Sequence, residues 1–458
     1  MIKRSVLKEL SEIVGPGHFI GERDELAKYS IDASKLEFMP DAAIFPGTEE
    51  EIAEILHLAN RENFPVIPRG AGTGTTGGAL PVKGGLILAM DRFNRIIAID
   101  QDNLIAKVEP GVITARLQEE VEKVDLFYPP DPASVHISTI GGNVAECAGG
   151  LRAVKYGVTR DYVLGLRLVL PTGEIIKTGG ETVKGVVGYD LTRLMVGSEG
   201  TLAVITAITL RLIPKPATKK TMMAFFPDAT KTVQAVSNII RNKIVPTTLE
   251  FMDRMCIDCV REELGLPIPS EGHALLLIEV DGDEILTGRE AEKVQSLCRI
   301  SGATWFQSAT GKEEVERLWE ARRNVSLSLS KLRPHKMSQD VVVPRSRMAE
   351  LVSFLDQLAE RYSLPIPAFG HAGDGNIHVN IMLDKGNPKE AENADHVVRE
   401  LFGKVLEMGG TISGEHGVGI TKAPYLEMEL SRPAIELMSR LKKAFDPLGI
   451  LNPGKIFM

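Results

Sequence analysis

Two hydrophobic periods alternate along the first half of the chain. Thr48 and Glu51 form a capping-box pattern, and Ile52, Ile55, Leu56 and Ala59 follow at helical spacing. A short apolar run at 64–68 predicts a strand. Residues 84–90, 96–99 and 105–108 predict further strands, 114–124 a helix, and 163–170, 174–178 and 201–212 strands again. Residues 1–45 read as a helical lead-in followed by an extended segment. Pro214-Lys-Pro216 reads as a linker. After it, strands at 221–226 and 274–280 each neighbour a helix-length segment, near 229–241 and 288–300. Residues 312–332 predict a long helix, 434–445 a last helix and 451–454 an extended tail. Strand–helix–strand runs of this kind predict an α+β chain.

Composition narrows the classes. The chain has 458 residues, and 53 Lys and Arg against 61 Asp and Glu give a net charge of −8, so there is no basic field for nucleic acid. Apolar residues at 43% and charged residues at 25% are those of an ordinary globular chain. No run approaches the roughly 18 apolar residues of a membrane helix. Lys8, Glu9 and Glu12 interrupt any apolar signal core, which predicts a mature cytoplasmic protein. The 4 cysteines are too few for a disulfide scaffold. No internal repeat is present.

Glycine clusters carry the first chemistry. Gly72-Thr-Gly74-Thr-Thr-Gly77 matches the dinucleotide fingerprint, with Asp91 about 20 residues on. That fingerprint needs a helix opening at the loop. Gly78-Ala-Leu-Pro81 follows instead, and a strand begins by Leu86. The loop therefore reads as a backbone nest for phosphate oxygens, with Arg69 adding charge, or as a Gly-rich surface turn.

Four motifs then fall in order: Pro68-Arg-Gly-Ala-Gly-Thr-Gly74, Pro129-Pro-Asp-Pro132, Ser138-Thr-Ile-Gly-Gly-Asn-Val-Ala145 and Val196-Gly-Ser-Glu-Gly-Thr-Leu202. Together they resemble the FAD-binding domain of the vanillyl-alcohol-oxidase and p-cresol-methylhydroxylase (PCMH) superfamily. The resemblance implies that Arg69, Gly70, Ala71, Gly72, Thr73, Gly74 and Gly77 hold the FAD pyrophosphate. Gly141, Gly142, Asn143 and Gly149 would line the isoalloxazine and ribityl side, and Glu199, Gly200 and Ile205 the adenine half. Pro130, Asp131, Ser134, Thr139, Ala145, Gly150 and Asn452 complete the implied cofactor contacts. Relatives with covalent flavin place a His four residues after the loop Arg. Thr73 stands there in this chain, which implies a non-covalent FAD.

Histidines carry the second chemistry. Gly370-His-Ala-Gly-Asp-Gly-Asn-Ile-His-Val-Asn380 and Ser413-Gly-Glu-His-Gly-Val-Gly419 concentrate three of the 9 histidines. His378 and Asn380, two apart on an apolar strand, point to one face. His371, His378 and Glu415 are a two-imidazole, one-carboxylate set suited to a metal with open positions. The alternative is unrelated histidines capping turns. Adjacent Glu415 and His416 are expected to point to opposite sides of an extended or loop backbone, with Gly414 and Gly417 allowing a tight bend there.

These segments, with Leu451-Asn-Pro-Gly-Lys-Ile456, resemble the C-terminal domain of FAD-linked 2-hydroxy-acid dehydrogenases. That family includes D-lactate and D-2-hydroxyglutarate dehydrogenases and the glycolate oxidase large subunit. The resemblance implies a divalent metal, zinc or manganese, on His371, His378 and Glu415, with His416 as catalytic base. Arg322 would face the substrate carboxylate. Ser326, one helical turn on, reads as sharing that face or as plain helix surface; Asn380 is a candidate for the substrate hydroxyl, and Lys336 a further candidate in a stretch that matches the family poorly. The implied fold is α+β: a two-part PCMH-type FAD-binding domain at 1–216, and an α+β substrate (cap) domain with an antiparallel sheet at 217–430. A C-terminal helical tail at 431–458 would return to the FAD domain.

The implied activity is oxidation of a D-2-hydroxy acid, D-lactate foremost and glycolate or 2-hydroxyglutarate as alternatives. Electrons would pass to an external acceptor: an iron–sulfur or electron-transfer flavoprotein partner, a cytochrome or a quinone. Such a partner would allow peripheral membrane association, and a homodimer is one option for assembly. An FAD-containing electron-transfer subunit of a larger oxidoreductase complex, and a flavin enzyme of the same fold acting on an alcohol or phenol, are the rival readings. Cys256-Ile-Asp-Cys259 lies on a helical stripe with Phe251, Met252, Met255 and Val260 and reads as core.

Overall fold

A computed structural model describes residues 1–264, 269 and 272–457. The chain divides into two units. Met1–Gly149, Val158–Lys215 and Glu415–Met458 form the first, and Gly150–Gly157 with Pro216–Gly414 the second. The segment returning to the first unit thus starts at Glu415, earlier than the expected 431. The Val418 and Gly419 N–H groups donate to Glu199, and the Ile420 N–H donates to the Thr76 carbonyl, which fixes 415–420 to the first unit.

The first unit carries two main sheets. One has four strands in the order Phe19–Ile20, Ala42–Ile44, Leu86–Ala89, Val66–Arg69. Val66–Arg69 and Leu86–Ala89 pair in parallel. Parallel strands are ordinarily joined by a crossover helix, but here a glycine loop joins them. Positive φ at Gly72, Gly77, Gly84 and Gly85, together with Pro81, keeps the connection out of helix. Thr48 caps helix Glu49–Glu62 by accepting the Glu51 N–H, and Ile52, Ile55, Leu56, Leu58 and Ala59 bury its inner face against this sheet. The other sheet has five antiparallel strands in the order Ile96–Asp100, Ile105–Val108, Val204–Arg211, Val163–Val169, Ile175–Gly179. Strict alternation of burial along Val204–Arg211 marks one face as core. The second glycine cluster contains the short helix Ile140–Glu146, capped by Thr139.

The second unit is built on one seven-stranded antiparallel sheet. Its order is Trp305–Ser308, Thr218–Phe226, Ala274–Gly282, Thr248–Asp253, Ala368–His371, Asn376–Leu383, His335–Val342. Helices Ala229–Arg241, Glu284–Ile300, Met348–Tyr362 and Pro388–Glu407 pack against one another and the sheet. Met223, Phe225, Met252, Leu275, Leu277 and Phe369 form a core with helices Arg254–Cys259 and Gly311–Ser328. Cys256 and Cys259 belong to that core and form no disulfide. Eight of the nine residues of Ala274–Gly282 are buried, as expected of a strand covered on both faces.

Candidate functional site

Every segment of the first glycine-motif set meets at one cavity of the first unit. Arg69, Gly70, Ala71, Gly72, Thr73 and Gly74 form one wall, from the loop after Val66–Arg69. Ser134, Thr139, Gly141, Gly142, Asn143, Ala145 and Gly149 form a second, and Glu199, Gly200 and Ile205 a third. Of the residues expected to contact the cofactor, Gly77, Pro130, Asp131, Gly150 and Asn452 are not in the lining; Pro132 and Ala133 stand where Pro130 and Asp131 were expected. Asn452 sits behind the wall, donating to the carbonyls of Gly78 (2.9 Å) and Glu199 (2.8 Å).

The glycines are there for space. A Cβ at Gly70 would collide with Thr139 Oγ1, one at Gly72 with the Arg69 guanidinium, and one at Gly141 with Pro110. Bare backbone therefore forms the wall, which suits close approach of phosphate oxygens. Arg69 is buried beneath the loop, and its guanidinium donates to the carbonyls of Ile31 (2.7 Å) and Ala79 (3.2 Å). It braces the loop from below. Asn143 turns its amide to Thr114 Oγ1 at 2.8 Å. Met90, Ala203, Val204 and Ile205 supply apolar wall. A bare-backbone nest beside an apolar slot fits a nucleotide-linked ring cofactor such as FAD.

Glu415 and His416 line this same cavity. A carboxylate oxygen of one and a ring nitrogen of the other lie within 4.8 Å. The expectation that they diverge fails, because the backbone is bent at Gly414–His416 and Gly417 has φ +78°, so strand alternation does not apply. The His416 carbonyl accepts the Thr76 hydroxyl at 3.2 Å. Glu146, absent from the sequence expectation, also lines the cavity.

The second unit holds a buried polar cluster on its sheet. Glu250, on Thr248–Asp253, is fully buried. Arg322, on helix Gly311–Ser328, donates to Glu250 Oε2 through Nε at 2.7 Å and through Nη2. His371 Nδ1 lies 2.5 Å from Glu250 Oε1. Burial alone raises the Glu250 carboxyl, but the charges of Arg322 and then His371 outweigh it and hold the group down at about 2. The Arg322 guanidinium also stacks 4.7 Å from the Phe369 ring centre. The rings of His371 and His378 are perpendicular, 5.2 Å apart. Asp340 pairs across the strands with His378, its Oδ1 3.6 Å from His378 Nδ1. Asp340 also accepts from Asn376 Nδ2 (2.6 Å) and the Gly414 N–H (2.9 Å).

The remaining expected substrate residues are placed nearby on the same elements. Lys336, Ser338 and Asp340 alternate along His335–Val342 and face Met382, Asn380 and His378 in register. Lys336 Nζ donates to Ser326 Oγ and, at 3.4 Å, to its carbonyl, so those two residues do meet. Asn380 is buried and its amide is engaged by Ser338 Oγ (3.1 Å) and the His378 carbonyl (3.1 Å). Glu250 and Asp340 escaped sequence reasoning. The signal for Glu250 was a single carboxylate inside the apolar run Thr248-Leu-Glu-Phe-Met252.

A glycine-walled cavity beside an antiparallel sheet, and a second unit with a carboxylate–histidine–arginine cluster, define a flavin-linked oxidoreductase. Residues 40–179 match the family model described as FAD binding domain, and 215–456 that of FAD linked oxidases, C-terminal domain. The chain belongs to this FAD-linked oxidase family. It is 46% identical over 458 residues to the glycolate oxidase subunit GlcD of Bacillus subtilis, covering 100% of this chain and 97% of that one. It is 35% identical over 441 residues to a D-lactate dehydrogenase of Anaerostipes hadrus, with 94% and 91% covered. The fold matches that of p-cresol methylhydroxylase with substrate bound, with a TM-score of 0.82, 19% identity, and 99% and 96% of the two chains covered. The chain is thus an oxidoreductase of the glycolate oxidase and D-lactate dehydrogenase type, with a PCMH-type α+β fold. Among the described residues no helix is long and apolar enough to cross a membrane.

Proposed function

We propose that the protein oxidises a D-2-hydroxy acid to the 2-oxo acid and passes the electrons to an external acceptor. The observation that supports this reading most is His416 lining the glycine-walled cavity, where its imidazole would serve as the proton acceptor. FAD, when bound, supplies the acceptor for the substrate hydride. His416 takes the hydroxyl proton, since hydride leaves a carbinol carbon readily only as its O–H is deprotonated. Arg322 supplies a fork for the substrate carboxylate, with Glu250 fixing its orientation. Thr73 at the covalent-attachment position supports a dissociable FAD. D-lactate is the first candidate substrate, and glycolate and 2-hydroxyglutarate follow. The names of the relatives favour the first two.

The test is anaerobic mixing of the flavin-loaded protein with a panel of 2-hydroxy acids. Bleaching by one acid of the panel is the expected result, with the D-enantiomer much faster than the L-enantiomer wherever the acid is chiral. Failure of every acid in the panel, with reduction only through a protein donor, would establish an electron-transfer subunit instead.

His371, His378 and Glu415 are proposed as ligands of a divalent metal, zinc or manganese. His371 Nδ1 contacts the Glu250 carboxylate at 2.5 Å, the outer-shell arrangement common to ligating histidines, and Asp340 Oδ1 lies 3.6 Å from His378 Nδ1. His378→Ala should lose the metal and turnover while the flavin stays bound. A metal-free preparation at full rate sinks the assignment.

A further inference from the structure

Glu146 ends the short helix Ile140–Glu146, and its carboxyl lines the cavity. Its Oε2 is shielded from solvent and has no hydrogen-bond partner among the described residues. Glu199 lies beside it. A Cβ added at Gly417 would collide with Glu146 Oε2 and lie 3.0 Å from Glu199 Oε1; one at Gly78 would lie 2.9 Å from Glu146 Oε1 and 3.8 Å from Glu199 Oε2. Two carboxyls therefore share one water-poor space, kept open by two glycines. Like charges so placed do not both ionise.

The surroundings decide which one keeps the proton. Glu199 accepts backbone N–H bonds from Val418 (2.8 Å) and Gly419 (2.7 Å). Lys455 and Lys422 also favour its charged form. Glu146 has no such support. Burial first, then the charges of Glu199 and Asp32, push its carboxyl well above the usual range. Burial raises Glu199 as well, but the two amides and two lysines oppose it. Glu415, His416 and Arg69 are the other charged or titratable groups on the cavity wall.

We propose that Glu146 is a neutral carboxylic acid that donates a hydrogen bond to an acceptor atom of the bound FAD, with ionised Glu199 as its counter-group. The inference rests on FAD occupying this cavity. A flavin carries many acceptors, and ionising Glu146 would remove a donor and add a second negative charge beside Glu199 on the same wall. A neutral acid supplies a donor without adding a charge.

The test uses the full-length flavin-loaded protein. Its infrared spectrum at neutral pH should show the carbonyl stretch of a protonated carboxylic acid, lost in Glu146→Gln. FAD dissociation, read as free-flavin fluorescence on dilution, should change less than about threefold in Glu146→Gln, which keeps a donor. It should rise about 3–10-fold in Glu146→Leu, the range of one lost hydrogen bond. Raising the pH should weaken FAD binding in wild type and leave Glu146→Gln flat. Absence of the carbonyl band, or weaker binding in Glu146→Gln than in Glu146→Leu, overturns the proposal while leaving FAD binding intact. A wild-type protein that retains no FAD overturns both this proposal and the reading beneath it.

Discussion

His416→Ala is expected to slow flavin reduction by the substrate acid by roughly 10²–10⁴-fold, the usual span for a lost general base. The flavin should remain bound, because glycine backbone and apolar side chains form most of its cavity and His416 is one residue of the wall. Metal content separates the two roles in the Glu415-His416 pair. The two side chains lie within 4.8 Å and line one cavity, so position alone does not divide base from ligand. His416→Ala should keep its metal, and Glu415→Ala should lose it. The measurements are anaerobic stopped-flow reduction and elemental analysis of each variant. An unchanged rate in His416→Ala, or loss of its metal, reverses the assignment.

The pattern of strands and helices was legible wherever burial is periodic. Helix Glu49–Glu62 and strand Val204–Arg211 show their inner faces directly in sequence, and both formed within a few residues of expectation. The glycine-walled cavity was legible because glycine has few reasons to cluster, and close backbone approach is one of them. Other features depend on contacts far apart in sequence. Glu250 meets Arg322 across 72 positions and His371 across 121. No local spacing encodes such a pairing. Gly414 and Gly417 made a bend at Glu415-His416 legible, but not its outcome: the two side chains, expected on opposite sides, come within 4.8 Å of each other. The parallel pairing of Val66–Arg69 with Leu86–Ala89 was obscured because parallel strands are ordinarily joined by a helix, and here a glycine loop spans the gap.

Glu250 gives the second large effect, on stability. Its carboxylate is fully buried between Arg322 and His371. Glu250→Gln leaves the Arg322 charge buried without its counter-ion. Breaking one partner of a buried pair costs about 3–5 kcal/mol. Replacing both, as Glu250→Gln with Arg322→Met, should recover much of that loss, since an uncharged pair needs no compensation. Both tryptophans, Trp305 and Trp319, lie in the second unit, so their fluorescence during urea unfolding reports on that unit alone. The pH dependence follows from the depressed carboxyl. Its folded value of about 2 lies below the ordinary 4.5, so the stabilisation is fully present above about 4.5 and is lost as pH falls towards 2. That window carries about 3 kcal/mol. Wild type should therefore lose stability through it more steeply than Glu250→Gln. Equal slopes for the two proteins, or a single substitution as stable as the double, would show that the buried carboxylate is not what holds Arg322 in place.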